Sequence, residues 1–69
     1  MKLSARNVLK GKVVQLRKGA TTANVRIAIA GGAVITSSIT NEAVEELRLA
    51  IGDDVYAVIK ASNVIVARD

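Results

Sequence analysis

The sequence predicts an all-β fold, a five-stranded barrel with one short helix between strands three and four. Three observations predict it. Apolar residues recur with a period of two along several runs, glycines separate those runs at hairpin-like intervals, and no proline interrupts any of them. With 69 residues the chain has room for a single domain.

The first strand is predicted over Asn7 to Lys18. Neither parity of this run is purely apolar, and Gly11 in its middle predicts a bulge or a sharp coil of the kind small barrels use to turn corners. Lys18-Gly19 supplies the turn. The second strand, about Thr22 to Ala30, alternates most cleanly: Ala23, Val25, Ile27 and Ile29 on one face, Thr22, Asn24, Arg26 and Ala28 on the other. Gly31-Gly32 follows as a two-residue hairpin signal. The third strand, Ala33 to Thr40, carries Val34 and Ile35 and then three consecutive hydroxyls, Thr36-Ser37-Ser38.

A short helix is predicted from Asn41 to about Leu49. Thr40 is a suitable N-cap, and Glu42 sits in the first turn, where the helix dipole favours an acid. Ala43, Val44 and Leu47 supply the apolar stripe, and Gly52 can end the segment in the left-handed conformation. Asp53-Asp54 leads into a fourth strand, Val55 to Lys60, Ser62-Asn63 turns, and Val64 to Ala67 is the fifth. Three strands, a helix and two strands describe a closed barrel of the OB kind, with the helix plugging one end.

A domain this small buries only about 60% of the surface its unfolded chain exposes, so it needs reinforcement. The chain has neither cysteine nor histidine, which removes disulfides and the usual zinc ligands together. Partner subunits remain. Hydrophobic residues make up 51% of the chain, yet Tyr56 is the only aromatic. One small core cannot hide so much Val, Ile, Leu and Ala, and exposed apolar patches mark interfaces, so a homo-oligomer is expected. No apolar run approaches the roughly 18 residues of a membrane span, and the mixed start Lys2-Leu3-Ser4-Ala5-Arg6 has no signal-peptide layout. The expected location is the cytoplasm, with no membrane partner.

Ten Lys and Arg against six Asp and Glu give a net charge of +4, which draws anions. Catalysis is poorly supplied, because without His or Cys there is no ordinary base or thiol nucleophile at neutral pH. The acids Glu42, Glu45 and Glu46 read as a solvated helix face, and Asp53 and Asp54 as a turn; they lack the spacing of a calcium loop. Gly31-Gly32 lacks the Lys and hydroxyl that must follow in a phosphate loop. No catalytic residue, directly coordinated metal or cofactor is therefore expected.

Two polar clusters fit an anion better. Ser4-Ala5-Arg6-Asn7 and Lys60-Ala61-Ser62-Asn63 each set a cation beside a hydroxyl and an amide, with no acid. A fully deprotonated tetrahedral oxyanion only accepts hydrogen bonds, so its ideal pocket holds only donors. A carboxylate in the pocket would favour monohydrogen phosphate, which has a proton to give. On spacing alone, however, exposed strand ends with solvated charges account for both clusters. Thr36-Ser37-Ser38 likewise reads as barrel surface, unless symmetry gathers several copies into a neutral donor cage.

These residues carry a resemblance. Ser4-Ala5-Arg6-Asn7 followed by Leu9-Lys10-Gly11-Lys12-Val13 resembles the opening of the molbindins, the small Mop-like molybdate-binding proteins. The likeness continues through Ala30-Gly31-Gly32, Ile35-Thr36-Ser37, Val44-Glu45-Glu46-Leu47 and Ala57-Val58-Ile59-Lys60-Ala61-Ser62. It implies that residues 1–69 form one molbindin-like domain of the TOBE type. It also implies a hexamer, a trimer of dimers, binding molybdate or tungstate at subunit interfaces for intracellular storage and homeostasis. By position, Ser4, Ala5 and Arg6 of one subunit and Lys60, Ala61 and Ser62 of a neighbour would form a charged site. Thr36, Ser37 and Ser38 would line a second kind near a three-fold axis. Two residues depart from the family: Val8 stands where Gln is common, and Arg48 where Gly is common.

The main alternative is an OB module for single-stranded nucleic acid. Such modules stack bases on aromatic rings at about 1–3 kcal/mol each, and a lone Tyr56 is a poor platform. Another is a regulatory module that senses molybdate for a larger protein, against which the chain offers no DNA-binding helix pair or nucleotide motif.

Overall fold

The computed structural model describes all residues, Met1–Asp69. Its elements are β1 (Asn7–Lys18), β2 (Thr22–Ile29), β3 (Val34–Thr40), α1 (Asn41–Glu46) and β4 (Asp54–Ile59), followed by a single 3-10 turn at Ala61–Asn63. The four strands form one antiparallel sheet in the order β3-β2-β1-β4, curled into a half-barrel.

Period-two patterning decides the faces. Ala23, Val25 and Ile27 of β2 lie opposite Ile39, Ser37 and Ile35 of β3 and turn inward. Val13 of β1, Ala57 of β4 and Val44 of α1 complete the fully buried core. Leu16, Ile29, Ile35, Ile39, Leu49 and Val55 pack around it half-buried. Only six of the 69 residues are buried, while thirteen large apolar side chains stay exposed, so the single chain leaves much of its apolar surface uncovered.

The bulge in β1 does not lie at Gly11. That glycine pairs regularly with Ile29 and Val55; the register slips between Val13 and Gln15, leaving Val14 unpaired with β2. Gly11 is required by close approach, since a Cβ there would stand 2.5 Å from the Ala28 carbonyl oxygen and 2.7 Å from Ile27 Cγ2. The β2–β3 turn is also longer than two residues. Ile29 N–H donates to Ala33 O at 2.9 Å, and Gly31 and Gly32 both take φ of 91°.

The helix follows β3 and precedes β4 but ends at Glu46, short of the expected Leu49. Thr40 caps it, its Oγ1 accepting from Ala43 N–H at 3.0 Å. At the other end Arg48 N–H donates to Glu45 O and Leu49 N–H to Val44 O, both at 3.1 Å. That is a Schellman motif, and the residue it places in the left-handed region is Arg48 (φ 51°); Gly52 takes its positive φ later, in the turn into β4.

The five-stranded closed barrel is not what one chain forms. Val64–Ala67 has the apolar pattern of a strand, and Val64 is extended (φ −89°, ψ 121°), yet it belongs to no ladder. Val64, Ile65 and Val66 are 49%, 92% and 89% exposed. The 3-10 turn at Ala61–Asn63, closed by Asn63 N–H to Lys60 O, leads the chain off the end of β4 rather than back along it. Strand propensity describes a side chain's fit to a pleated surface, and the chain itself offers this segment no ladder partner. The seam between β3 and β4 therefore stays open as a groove of about 420 Å³, lined by Ile35, Thr36 and Ser37 on one side and Tyr56 to Ile59 on the other.

Candidate functional site

The antiparallel β1–β4 ladder runs from Lys12 opposite Asp54 to Asn7 opposite Ile59. Arg6 and Lys60 are the next residue on each strand beyond its last pair. Two clusters more than fifty residues apart in sequence thus meet at one end of one strand pair. Leu9–Ala57 and Asn7–Ile59 share the inner parity and Val8–Val58 the outer one; Arg6, in a bend, and Lys60 lie just past the last pair, beyond the strands. Ser4, Arg6, Lys60, Ala61 and Ser62 are all exposed, and Ala5 is half-buried.

No carboxylate shares this end of the sheet by ion pairing. The two ion pairs of the molecule are Lys12–Asp54 at 2.9 Å and Lys18–Glu45 at 3.7 Å, and neither involves Arg6 or Lys60. Two unpaired cations held at neighbouring positions, with the Ser4 and Ser62 hydroxyls close in sequence, make a donor-only surface suited to an oxyanion. No group of three or more His, Cys, Asp or Glu side chains is arranged to hold a metal ion.

The hydroxyl run is divided by the strand that carries it. Thr36 and Ser38 are exposed on the outer face, while Ser37 is half-buried on the inner face opposite Val25 and lines the open seam. Thr36 lies across from Arg26, and Ser38 across from Asn24, whose other neighbour is Arg17. The outer hydroxyls therefore stand among cations and amides rather than alone. A two-residue hairpin at Gly31-Gly32 would instead pair Arg26 with Ser37; the longer turn shifts the register by one residue, so the sequence did not reveal the Arg26–Thr36 pairing.

The acids have structural duties. Asp54 accepts a hydrogen bond from Lys12, and that bond and the ammonium charge hold its carboxyl below the ordinary 3.8. Asp53 Oδ2 accepts from Ala50 N–H at 2.9 Å and shapes the turn into β4. Both border an apolar groove of about 460 Å³ whose lining includes Met1, Leu47, Leu49 and Tyr56.

Comparison with known proteins identifies the family. The family model described as the TOBE domain matches residues 3–66. The chain belongs to the TOBE-domain family, as a Mop-like molbindin. A probable molybdenum-pterin-binding protein of Haemophilus influenzae is 52% identical over 66 residues, 96% of both chains. Among solved structures, MopII from Clostridium pasteurianum superposes with a TM-score of 0.91 at 49% identity, over 97% of this chain and all of that one. ModG, described as a cytoplasmic molybdate-binding protein and solved with molybdate bound, gives a TM-score of 0.91 at 54% identity. The TOBE domain here covers 94% of its own length but 46% of ModG's. No helix of this domain is long and apolar enough to cross a membrane.

Proposed function

We propose that this chain binds molybdate, or tungstate of nearly the same size and charge, as a cytoplasmic storage and homeostasis protein rather than a catalyst. The observation that carries the reading is the end of the β1–β4 pair, where the register brings the Ser4–Arg6 and Lys60–Ser62 segments to the same end of the sheet and no acid pairs with Arg6 or Lys60, so that two subunits can share them. Relatives named for molybdate or molybdenum-pterin binding agree with it. The bare oxyanion suits this chain better than a pterin. Its only aromatic ring is Tyr56, and the carboxylates bordering the groove beside it already accept from Lys12 and from Ala50 N–H.

The protein acts as a homo-oligomer, a hexamer built as a trimer of dimers. Ser4–Arg6 of one subunit faces Lys60–Ser62 of a neighbour, and Thr36, Ser37 and Ser38 contribute a second class of site near a three-fold axis. The open seam, the unpaired Val64–Ala67 segment and the thirteen exposed large apolar side chains support assembly.

The test is calorimetric titration of the anion-stripped protein with molybdate, with sulfate and phosphate as controls. Tight molybdate binding with weak controls is expected. Arg6→Ala or Lys60→Ala each removes a charge-assisted hydrogen bond of about 1.5–3 kcal/mol, and so lowers affinity by one to two decades. Unchanged affinity in both variants would remove this site from the mechanism, and no heat with any of the anions would overturn the function.

A further inference from the structure

We propose that Arg26 is the cation of the second class of anion site, binding an oxyanion together with Thr36 on the outer face of β2 and β3. The proposal rests on the reading that Thr36 and Ser38 line an anion site, and it makes that site charged rather than a neutral cage of hydroxyls. Two rungs cross the sheet there. Gln15, Arg26 and Thr36 stand in line on β1, β2 and β3, and Arg17, Asn24 and Ser38 form the next line. Each rung holds one cation, one amide and one hydroxyl, and all but the half-buried Gln15 are exposed.

Two irregularities of the backbone bring these groups to one face. The β1 bulge lies opposite Arg26: a regular ladder continuing from Val13–Ile27 would set Val14 there and turn Gln15 and Arg17 toward the core. Skipping Val14 puts both outside. The β2–β3 turn acts in the same way on the other side. A two-residue turn would send Ser37 outward and Thr36 and Ser38 inward, whereas the longer one faces two hydroxyls outward beside Arg26.

The bulge also turns Leu16 inward against the core, a packing gain that would hold whatever stood outside. The chemistry of the outer face is a separate observation. β1, β2 and β3 contain no Asp or Glu at all. Either sign of charge would solvate a sheet face, but only donors suit a fully deprotonated oxyanion.

Arg26 is the cation next to the hydroxyls. Side chains directly opposite on antiparallel strands have Cβ atoms about 4.5–5.5 Å apart, and diagonal neighbours about 7–8 Å, so a ligand at Thr36 or Ser38 lies within its reach. Arg17 is one strand further away, beyond Asn24. Neither ion pair of the molecule and none of its side-chain hydrogen bonds engages Arg26, so its donors stay available. One chain supplies one Arg26–Thr36 pair, and no second cation of the same chain is needed.

The test is molybdate titration in the Arg6→Ala/Lys60→Ala background, where the charged interface site is removed and the second class remains. Sedimentation checks that each further variant keeps the assembly of that background. Arg26→Ala is expected to weaken the remaining binding about ten- to hundredfold, the worth of one charge-assisted hydrogen bond. Arg26→Lys, which keeps the charge without the fork, should lose less, and it replaces the alanine variant if that one fails to assemble. Thr36→Val combined with Ser38→Ala tests the underlying reading separately and should also weaken binding. Unchanged affinity in the Arg26 variants, with loss in the hydroxyl variant, overturns the role of Arg26 and leaves the second site standing. Loss in Arg26→Ala alone overturns the sharing of one anion with Thr36. No loss in either, or no binding left in the background, overturns the second class of site and this proposal together.

Discussion

Arg48 is the one non-glycine residue of the chain at positive φ, in a position whose backbone favours glycine. It occupies the left-handed slot of the Schellman motif that ends α1, where an L side chain costs roughly 1–2 kcal/mol. Arg48→Gly removes that strain. It also gives up the cation's attraction to the helix end, about 0.3–1 kcal/mol, and some unfolded-state stiffness. The strain is the larger quantity, so a net gain of about 0.5–1 kcal/mol is expected. For a domain of this size that raises the melting midpoint by several degrees at fixed protein concentration. An unchanged or lower midpoint would show that the Arg48 side chain makes a stabilising contact that outweighs its backbone cost. The residues at the end of the β1–β4 pair, where Asn7 Nδ2 donates to Ile59 O, also differ in how far sequence reveals them. Arg6 and Lys60 stand out as cations without acids nearby. The engagement of Asn7 with Ile59 does not, because an amide looks the same in sequence whether it faces a ligand or a carbonyl.

Among the elements, β1, β2 and β3 were legible because alternation along β2 and the paired glycines after it mark a local hairpin, although its register runs one residue off the two-residue turn those glycines suggest. The helix was legible at its start, where Thr40 caps it, and less so at its end, where Arg48 rather than a glycine turns the chain. The β1–β4 pairing was the hidden element. It joins residues more than forty apart, and no turn fixes its register, so the meeting of the two cation clusters could not be read from either alone. This pairing makes a prediction in acid. Lys12, first by its hydrogen bond and then by its charge, holds the Asp54 carboxyl below its ordinary 3.8. The folded state therefore binds that proton more weakly than the unfolded state does. The contribution of Asp54 is fully present above 3.8 and is lost as pH falls through the lowered folded value. Both side chains are well exposed, so the effect is small and screened by salt. Melting curves recorded downward past pH 3.8 should fall less steeply for Lys12→Ala than for the wild type in that range, and identical slopes would show that the pair carries no linkage.

At the scale of the molecule, the strand expected at Val64–Ala67 and the barrel expected to close come down to the same missing surface. The sequence pattern there is a strand's, Val64 is extended, and no edge of its own chain receives the segment. Meanwhile the free edges of β3 and β4 flank an apolar groove. Burial of about 25 cal/mol per Å² makes an exposed Val-Ile-Val segment and an open seam costly to leave in water, and the proposed assembly would cover both with a second copy of the chain. Ile65 decides whether that surface is used. At 92% exposure it touches almost nothing in one chain, so Ile65→Lys should leave the stability of an isolated subunit nearly unchanged. In an assembly that covers this segment, the same substitution buries an unpaired ammonium. Sedimentation of the wild type at micromolar concentration is expected to show an oligomer, and Ile65→Lys to shift it to smaller species with an unaltered circular dichroism spectrum. If molybdate binds between subunits, the dissociated variant should also lose affinity although Arg6 and Lys60 are intact. Full assembly of Ile65→Lys would mean that the segment stays in solvent and that the contacts lie on other apolar surfaces, such as Val8 and Val58 on the outer face.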